Sequence, residues 1–348
     1  MNRRLQKVKR RGVRLIDVAE RAGCSTATVS RALNEPDKVK PAVRSRVFEA
    51  MRELNYRPNS AARALRSHRT RIMGIVIPTL NHAIYAGLVE AMQQRLAAEG
   101  YSLLVATSEY DGMREEAQAR LLVDRGVEGI AFVGDCHRDD LYGFLEEIPY
   151  VNTYVFHADS SHPCVGFDNR RASTDLAEFL IGLGHREFGV ISAIVAGNDR
   201  ASERVAGVRT ALESHGLRLS AKAVYERPYS ILSGREGLRY LLSLRPSPTA
   251  VVCGNDVLAM GAIVECRSAG IKLPEQISIV GFDDLEFAAH LDPPLTTMQV
   301  PAVEMGERAA DYLLERAKGK VGLQSIHLEP KLIVRRTTGP APVSPNAR

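Results

Sequence analysis

Two hydrophobic periods divide this chain. Between residues 15 and 55, apolar positions recur at helical spacing in three short runs: Leu15 to Ala22, Thr26 to Leu33 and Pro41 to Leu54. In the third run Val43, Val47, Ala50, Met51 and Leu54 form one stripe, which predicts a helix that buries that face against the other two. From about residue 72 the pattern changes. Fully apolar runs, IMGIVIP, SLLVAT, GIAFVG, PYVNTYVF, FGVIS, TAVVCGN and ISIVGFD, alternate with amphipathic stretches near 84–99, 113–125, 170–183, 202–215, 233–243, 256–269 and 302–317. Strands that are apolar on both faces and separated by helices predict parallel sheets covered on both sides, and the number of units is too large for one small sheet. The expectation is a small all-α domain followed by a two-lobed, doubly wound α/β core.

The first two helical runs are joined by Gly23, which suits a left-handed helix end, and by Ser25, a good cap for the next helix. Pro41 suits a first helical turn, where its missing N–H costs nothing. A helix, a glycine turn and a second helix form the helix-turn-helix arrangement that reads DNA through its second helix. On that helix Val29, Ala32 and Leu33 face inward, leaving Thr26, Ala27, Ser30 and Arg31 outward. Arg31 can reach guanine O6 and N7 with two donors, while Ala27 or the Thr26 methyl can touch a thymine methyl.

Charge sharpens this reading. Residues 1–71 carry 19 Lys and Arg against 6 Asp and Glu, a balance of +13, while the other 277 residues carry 27 against 35, or −8. The amino-terminal end is built to meet a polyanion. The opening MNRRLQKVKRRGVRL lacks the apolar core and cleavage site of a secretory signal, and no apolar run approaches a membrane span, so a cytoplasmic protein without membrane contact is expected. Five scattered cysteines without C-x-x-C spacing fit a reducing compartment.

The strings LIDVAERAGCSTATVSRALN and VRSRVFEAMRELNYRPNSAARAL resemble the opening of the LacI/GalR family of bacterial transcription regulators. VGFDN, GLGHREFGVIS, SERVAGVRTAL, VVCGNDVLAMGA, ISIVGFDD and PPLTTMQVPAVEMGERAADYLLE extend the resemblance to about residue 338. It implies a DNA-binding domain over residues 1–58, a hinge helix and linker over 59–71, and a periplasmic-binding-protein-like effector core over 72–338. Lobe one is then about 72–167 with 298–327, and lobe two about 168–297 with 328–338. Residues 339–348, GPAPVSPNAR in the chain's last ten positions, read as a Pro-rich disordered tail. The implied DNA contacts are Ser25, Thr26, Ala27, Thr28, Ser30, Arg31 and Asn59, with Leu65 as a hinge-helix wedge in the minor groove.

For the effector, polar side chains just past strand ends are what a hydroxylated ligand requires. Arg204, Asn255 and Asp283 match family ligand positions in the second lobe, and Tyr229 matches a stacking aromatic. His82, Tyr85 and Tyr110 are the first-lobe candidates. Helix or turn capping is the alternative use of Asn255 and Asp283. An arginine favours an anionic or strongly polar ligand. The segment PTLNHAIYAGLVEAM is similar to regulators of gluconate use, which ranks a sugar acid first, a neutral sugar second and a nucleobase third.

The function expected is a repressor of a carbohydrate or sugar-acid operon, acting as a homodimer on operator DNA and released by its effector. The alternatives are a corepressor-type regulator, responsive to a purine or other metabolite, and a sugar-binding protein without DNA activity. No phosphate loop, nucleophile elbow or H-E-x-x-H occurs, so no enzyme, cofactor or metal is expected. The one donor-rich run, HADSSHPC with His157, Asp159, His162 and Cys164, has no standard zinc spacing and reads as a polar loop.

Overall fold

The computed structural model describes residues 13–57 and 69–342. The chain divides into two compact units, one ending at Thr70 and one beginning at Arg71.

The first unit holds α1 (Leu15–Ala22), α2 (Thr26–Asn34) and α3 (Pro41–Glu53). Helix α1 ends at Gly23 with φ 62°, and the turn closes through the Cys24 N–H donating to Ala19 O at 3.0 Å. A Cβ at Gly23 would meet nothing within 4 Å, so glycine serves the left-handed conformation here and not a shortage of room. Ser25 Oγ accepts the Thr28 N–H at 3.1 Å and starts α2. Val18, Ala19, Ala22, Val29, Ala32, Val39, Val47 and Ala50 are buried together, with Leu33, Val43, Met51 and Leu54 packed at their edge. This core is small, as the short stripes require.

The second unit has two six-stranded sheets. Lobe one orders its strands β11-β5-β4-β3-β1-β2, all parallel: β1 (Ile72–Ile77), β2 (Ser102–Thr107), β3 (Ile130–Val133), β4 (Tyr150–Thr153), β5 (Cys164–Gly166) and β11 (Ile326–His327). Its helices are α4 (Ala83–Ala98), α5 (Gly112–Asp124), α6 (Asp139–Phe144) and α11 (Ala302–Ala317). Ile75 lies beside Val105 and Ala131 in register, so β1 is central, and its Met73, Ile75 and Ile77 are buried in one cluster with Leu88 and Met92 of α4 and Met305 and Leu313 of α11.

Lobe two orders its strands β12-β10-β9-β8-β6-β7, with β12 antiparallel to β10. These are β6 (Phe188–Ser192), β7 (Val224–Glu226), β8 (Ala250–Cys253), β9 (Ser278–Asp283), β10 (Thr296–Gln299) and β12 (Lys331–Ile333). Helices α7 (Asn169–Gly182), α8 (Asp199–Ser214), α9 (Ile231–Ser243) and α10 (Asp256–Ala269) cover it.

The backbone crosses between lobes after β5, after β10 and between β11 and β12. Two expectations are corrected. The return to lobe one does not lie at 297–298, because Thr297, Met298 and Gln299 still pair with Gly281, Phe282 and Asp283 of β9. Residues 339–342 are not a free tail either. His185 Nε2 lies 3.1 Å from Gly339 O, Gly339 N–H donates to Ser278 Oγ at 3.1 Å, and Ala341 N–H donates to Leu183 O at 2.9 Å. Proline-rich composition did not prevent docking, because buried His185 and Ser278 need the partners that this segment supplies. Residues 343–348 lie outside the described residues.

Candidate DNA-recognition helix and effector cleft

On α2, buried Val29 and Ala32 fix which face is left over. Thr26, Ala27 and Arg31 are exposed, while Thr28 and Ser30 are half-buried. Ser25 is exposed at the cap, and its Oγ lies 2.9 Å from Thr28 Oγ1, so these two hydroxyls order the helix start. Asn59 and Leu65 lie outside the described residues.

In the second unit the seven cleft candidates come from six separate stretches of the sequence and meet between the two lobes. His82 precedes α4 and Tyr85 sits in its first turn; Tyr110 follows β2. Arg204 lies on α8, Tyr229 precedes α9, Asn255 caps α10 and Asp283 ends β9. All but Tyr110 line an inner chamber, together with Tyr154 and Arg200. Tyr110 joins it through its hydroxyl, 3.4 Å from Tyr85 Oη and 3.3 Å from His82 Nδ1. Outside lies a cavity of about 490 Å³, walled by His82, Tyr110, Tyr229, Ile194 and Pro228 and edged by Asn81 and Asn198. His82 meets Tyr229 edge-on across the cleft at 5.1 Å.

Arg204 is held on three sides. Its Nε donates to Asn169 Oδ1 at 2.9 Å, its Nη1 donates to Gly254 O at 2.7 Å, and its guanidinium carbon lies 3.7 Å above the Phe282 ring. A buried cation with two fixed bonds and an aromatic floor is rigid before any ligand arrives. Asn255 does cap its helix, accepting Leu258 N–H on Oδ1 at 2.9 Å, which leaves its amide nitrogen unspent by the cap. Burial drives the Asp283 carboxyl well above the carboxylate range, and the opposing pull of Arg204 is the smaller effect. Burial pushes the Tyr229 phenol up to about 12 and lowers His82, leaving both neutral.

The backbone is strained where these groups converge. Of the seven described non-glycine residues with positive φ, four line the cleft: Glu109, Tyr110, Tyr154 and Asp283. Such conformations cost about 1–3 kcal/mol each and persist where the surroundings enforce them. Sequence reasoning missed Tyr154, which lay inside PYVNTYVF read as one strand; its φ of 64° ends β4 and turns the ring against Tyr85 at 5.5 Å. It also missed Arg200, although a second arginine four residues before Arg204 on one helix shares its face.

The donor-rich loop disperses. His157 Nε2 lies 2.9 Å from Asp135, His162 stacks on Tyr142 at 3.6 Å, and Cys164 is buried in β5. Among the described residues no group of three or more ligating side chains suits a metal ion, and no helix is long and apolar enough to cross a membrane.

Residues 14–59 match the family model of bacterial regulatory proteins of the lacI family, and residues 177–338 match the periplasmic binding protein-like domain. The HTH-type transcriptional regulator DegA of Bacillus subtilis is 33% identical over 94% of this chain and 98% of its own length. The HTH-type transcriptional repressor CytR of Escherichia coli is 31% identical over 94% and 96%. The lac repressor dimer, solved bound to operator and the anti-inducer ONPF, superposes with a TM-score of 0.85 at 26% identity, covering 94% of this chain and 100% of that one. A helix-turn-helix unit, two parallel-sheet lobes around a polar cleft, and relatives that match nearly end to end lead to one assignment: the chain belongs to the LacI family of bacterial transcriptional regulators.

Proposed function

We propose that this regulator is a cytoplasmic repressor of a sugar-acid or carbohydrate operon, and that a small molecule held between its lobes sets its grip on operator DNA. The observation that carries the ligand reading is the convergence of a rigid Arg204 with Asn255, Asp283 and neutral tyrosines in one chamber. Arg204 spends Nε and Nη1 on the protein, which reserves Nη2 for a carboxylate or vicinal hydroxyls. Asn255 and Asp283, whose carboxyl burial shifts toward its proton-bearing form, offer further polar groups to ligand hydroxyls.

Thr26, Ala27 and Arg31 read base edges in this proposal, Ser25, Thr28 and Ser30 lie toward phosphates, and Asn59 and Leu65 complete the contact from the hinge. Two chains in a homodimer present two such helices to successive major-groove faces, as the lac repressor dimer on its operator supports by likeness. The excess positive charge of residues 1–71 makes the affinity salt-dependent. Effector and operator must change each other's affinity by the same factor, with release by inducer as the direction proposed.

The aromatic walls, His82, Tyr110 and Tyr229, favour a second reading in which the ligand carries a planar ring, such as a nucleobase, and acts as corepressor. Thermal shift against sugar acids, neutral sugars and purines separates the two, because a ligand that binds the folded form raises Tm by mass action. A shift with purines alone rejects the sugar-acid reading. Operator binding by the same ligand-loaded sample then gives the direction of control.

A further inference from the structure

The inner chamber holds a second arginine, and its bonding differs from that of Arg204. Arg200, in the first turn of α8, is 7% exposed. Its Nη1 donates to Val133 O at 3.1 Å and to the Asp199 carboxylate, and it lies so close to Gly134 that a Cβ there would overlap it. Nη1 is therefore anchored. Nε and Nη2 bond to no described residue. These two nitrogens form the guanidinium edge opposite Nη1, and their parallel N–H bonds match the two oxygens of a carboxylate. Arg204 has no such edge left, since its Nε is spent on Asn169 Oδ1 and its Nη1 on Gly254 O.

The surroundings fix where that edge points. Val133 and Asp199, which hold Nη1, wall a small pocket of about 30 Å³ behind Arg200 together with Asp111 and Glu115. That side is acidic and repels an anion. On the other side Tyr85, Tyr154 and Tyr229 line the inner chamber, and the phenols of Tyr85, Tyr110 and Tyr229 are close enough to act on the Arg200 charge. The unspent edge thus faces the chamber. Asp283, the acid in the chamber lining, lies with Arg204, the arginine that acts on its carboxyl.

Volume sets a second constraint. The inner chamber measures about 20 Å³, and a single water takes up about 10–15 Å³ of such space, so the chamber admits one small group and no sugar ring. The cavity of about 490 Å³ outside shares His82 and Tyr229 with it. Its walls include the rings of Tyr110 and Tyr229, Pro228 and the exposed Ile194, surfaces that gain from an apolar cover and leave a hydroxyl unpaired.

We propose that the effector is a ring-bearing carboxylic acid, its carboxylate set in the inner chamber on the Nε–Nη2 edge of Arg200 and its ring in the outer cavity against Tyr110, Tyr229 and Ile194. This rests on the effector reading of the cleft and narrows it: Arg200 takes the charge, Arg204 takes a hydroxyl, and an acid without a ring meets only part of the site.

Isothermal titration calorimetry of the full-length protein with three probes tests this. Phenyl β-D-glucuronide carries acid and ring at opposite ends, phenyl β-D-glucoside has the ring without the acid, and D-gluconate has the acid without the ring. The glucuronide should bind about tenfold or more tighter than either of the others. Arg200→Lys keeps a charge but not two parallel donors, and should cut the preference for glucuronide over glucoside about tenfold. Ile194→Ser, at an exposed position, should cut the preference for glucuronide over gluconate about threefold. Equal binding of the glucuronide and either other probe, no binding of the glucuronide, or a preference that Arg200→Lys leaves intact each overturn the proposal. Binding of gluconate or glucoside that Arg204→Ala abolishes would leave the effector cleft standing without it, so the two failures are told apart.

Discussion

Replacing Arg204 with alanine separates the two roles its geometry implies. The side chain is 9% exposed, and its truncation strands Asn169 Oδ1 and Gly254 O without their donors. Leaving a buried acceptor unpaired costs about 1–3 kcal/mol, and the lost packing over Phe282 adds up to about 2 kcal/mol. The desolvation of the cation itself is relieved, so the net loss is about 2–5 kcal/mol in the core unit. For a unit of this size that lowers Tm by roughly 4–9 °C. The helix-turn-helix has its own core, and effector-free operator binding at 20 °C should be retained within about threefold, or about 0.7 kcal/mol. The effector-induced rise in Tm should vanish. Differential scanning calorimetry with and without the ligand found by screening, together with operator titration by fluorescence anisotropy, measures all three quantities. Arg204→Lys keeps the charge but cannot hold both acceptors in a fixed fork, and should recover part of the stability and little of the effector response. A full effector shift in Arg204→Ala would refute the placement of ligand against this arginine; an unchanged Tm would refute the accounting of its bonds.

Arg31→Ala should relax base preference at one position of each half-site and cost about 1–3 kcal/mol there, read by binding-site selection on randomised operators; unchanged selectivity removes Arg31 from base reading. Ser25→Ala removes the cap of α2 and should cost about 1 kcal/mol of stability in the first unit, visible as weaker operator binding without altered sequence preference. Asp283→Asn should stabilise the core as pH rises. The Asp283 carboxyl is raised in the folded protein, so the native state loses relative stability above the unfolded value of about 4, a penalty the amide lacks. Tm of the variant minus that of the unaltered protein should therefore grow from pH 4 to pH 8, and a difference that is flat or falls with pH contradicts a proton-bearing Asp283.

Local interactions in the sequence determined the recognition unit almost completely. Gly23, Ser25 and the Val29, Ala32 and Val47 stripes act within a few residues or across one short turn, so periodicity and capping chemistry place α1, α2 and α3 to within a residue. The long helices and central strands of the core were legible as elements too, because an apolar run buried on both faces leaves little choice, although α8 begins at Asp199 and α9 at Ile231, three and two residues before the amphipathic stretches. Tertiary structure decided the short edge strands. β7, β11 and β12 are two or three residues long, too short to carry a period, and exist because neighbours supply their hydrogen-bond partners. It also decided what the cleft became. Positive φ at Tyr110, Tyr154 and Asp283 is imposed by packing and has no local signature, since none of these is glycine. Arg200 and Asp199 face Asp135 only because two lobes, joined by three crossings, bring residues 64 positions apart into contact. Chain-local energies set the elements here, whereas the ligand chamber arises from distant groups that share a buried space.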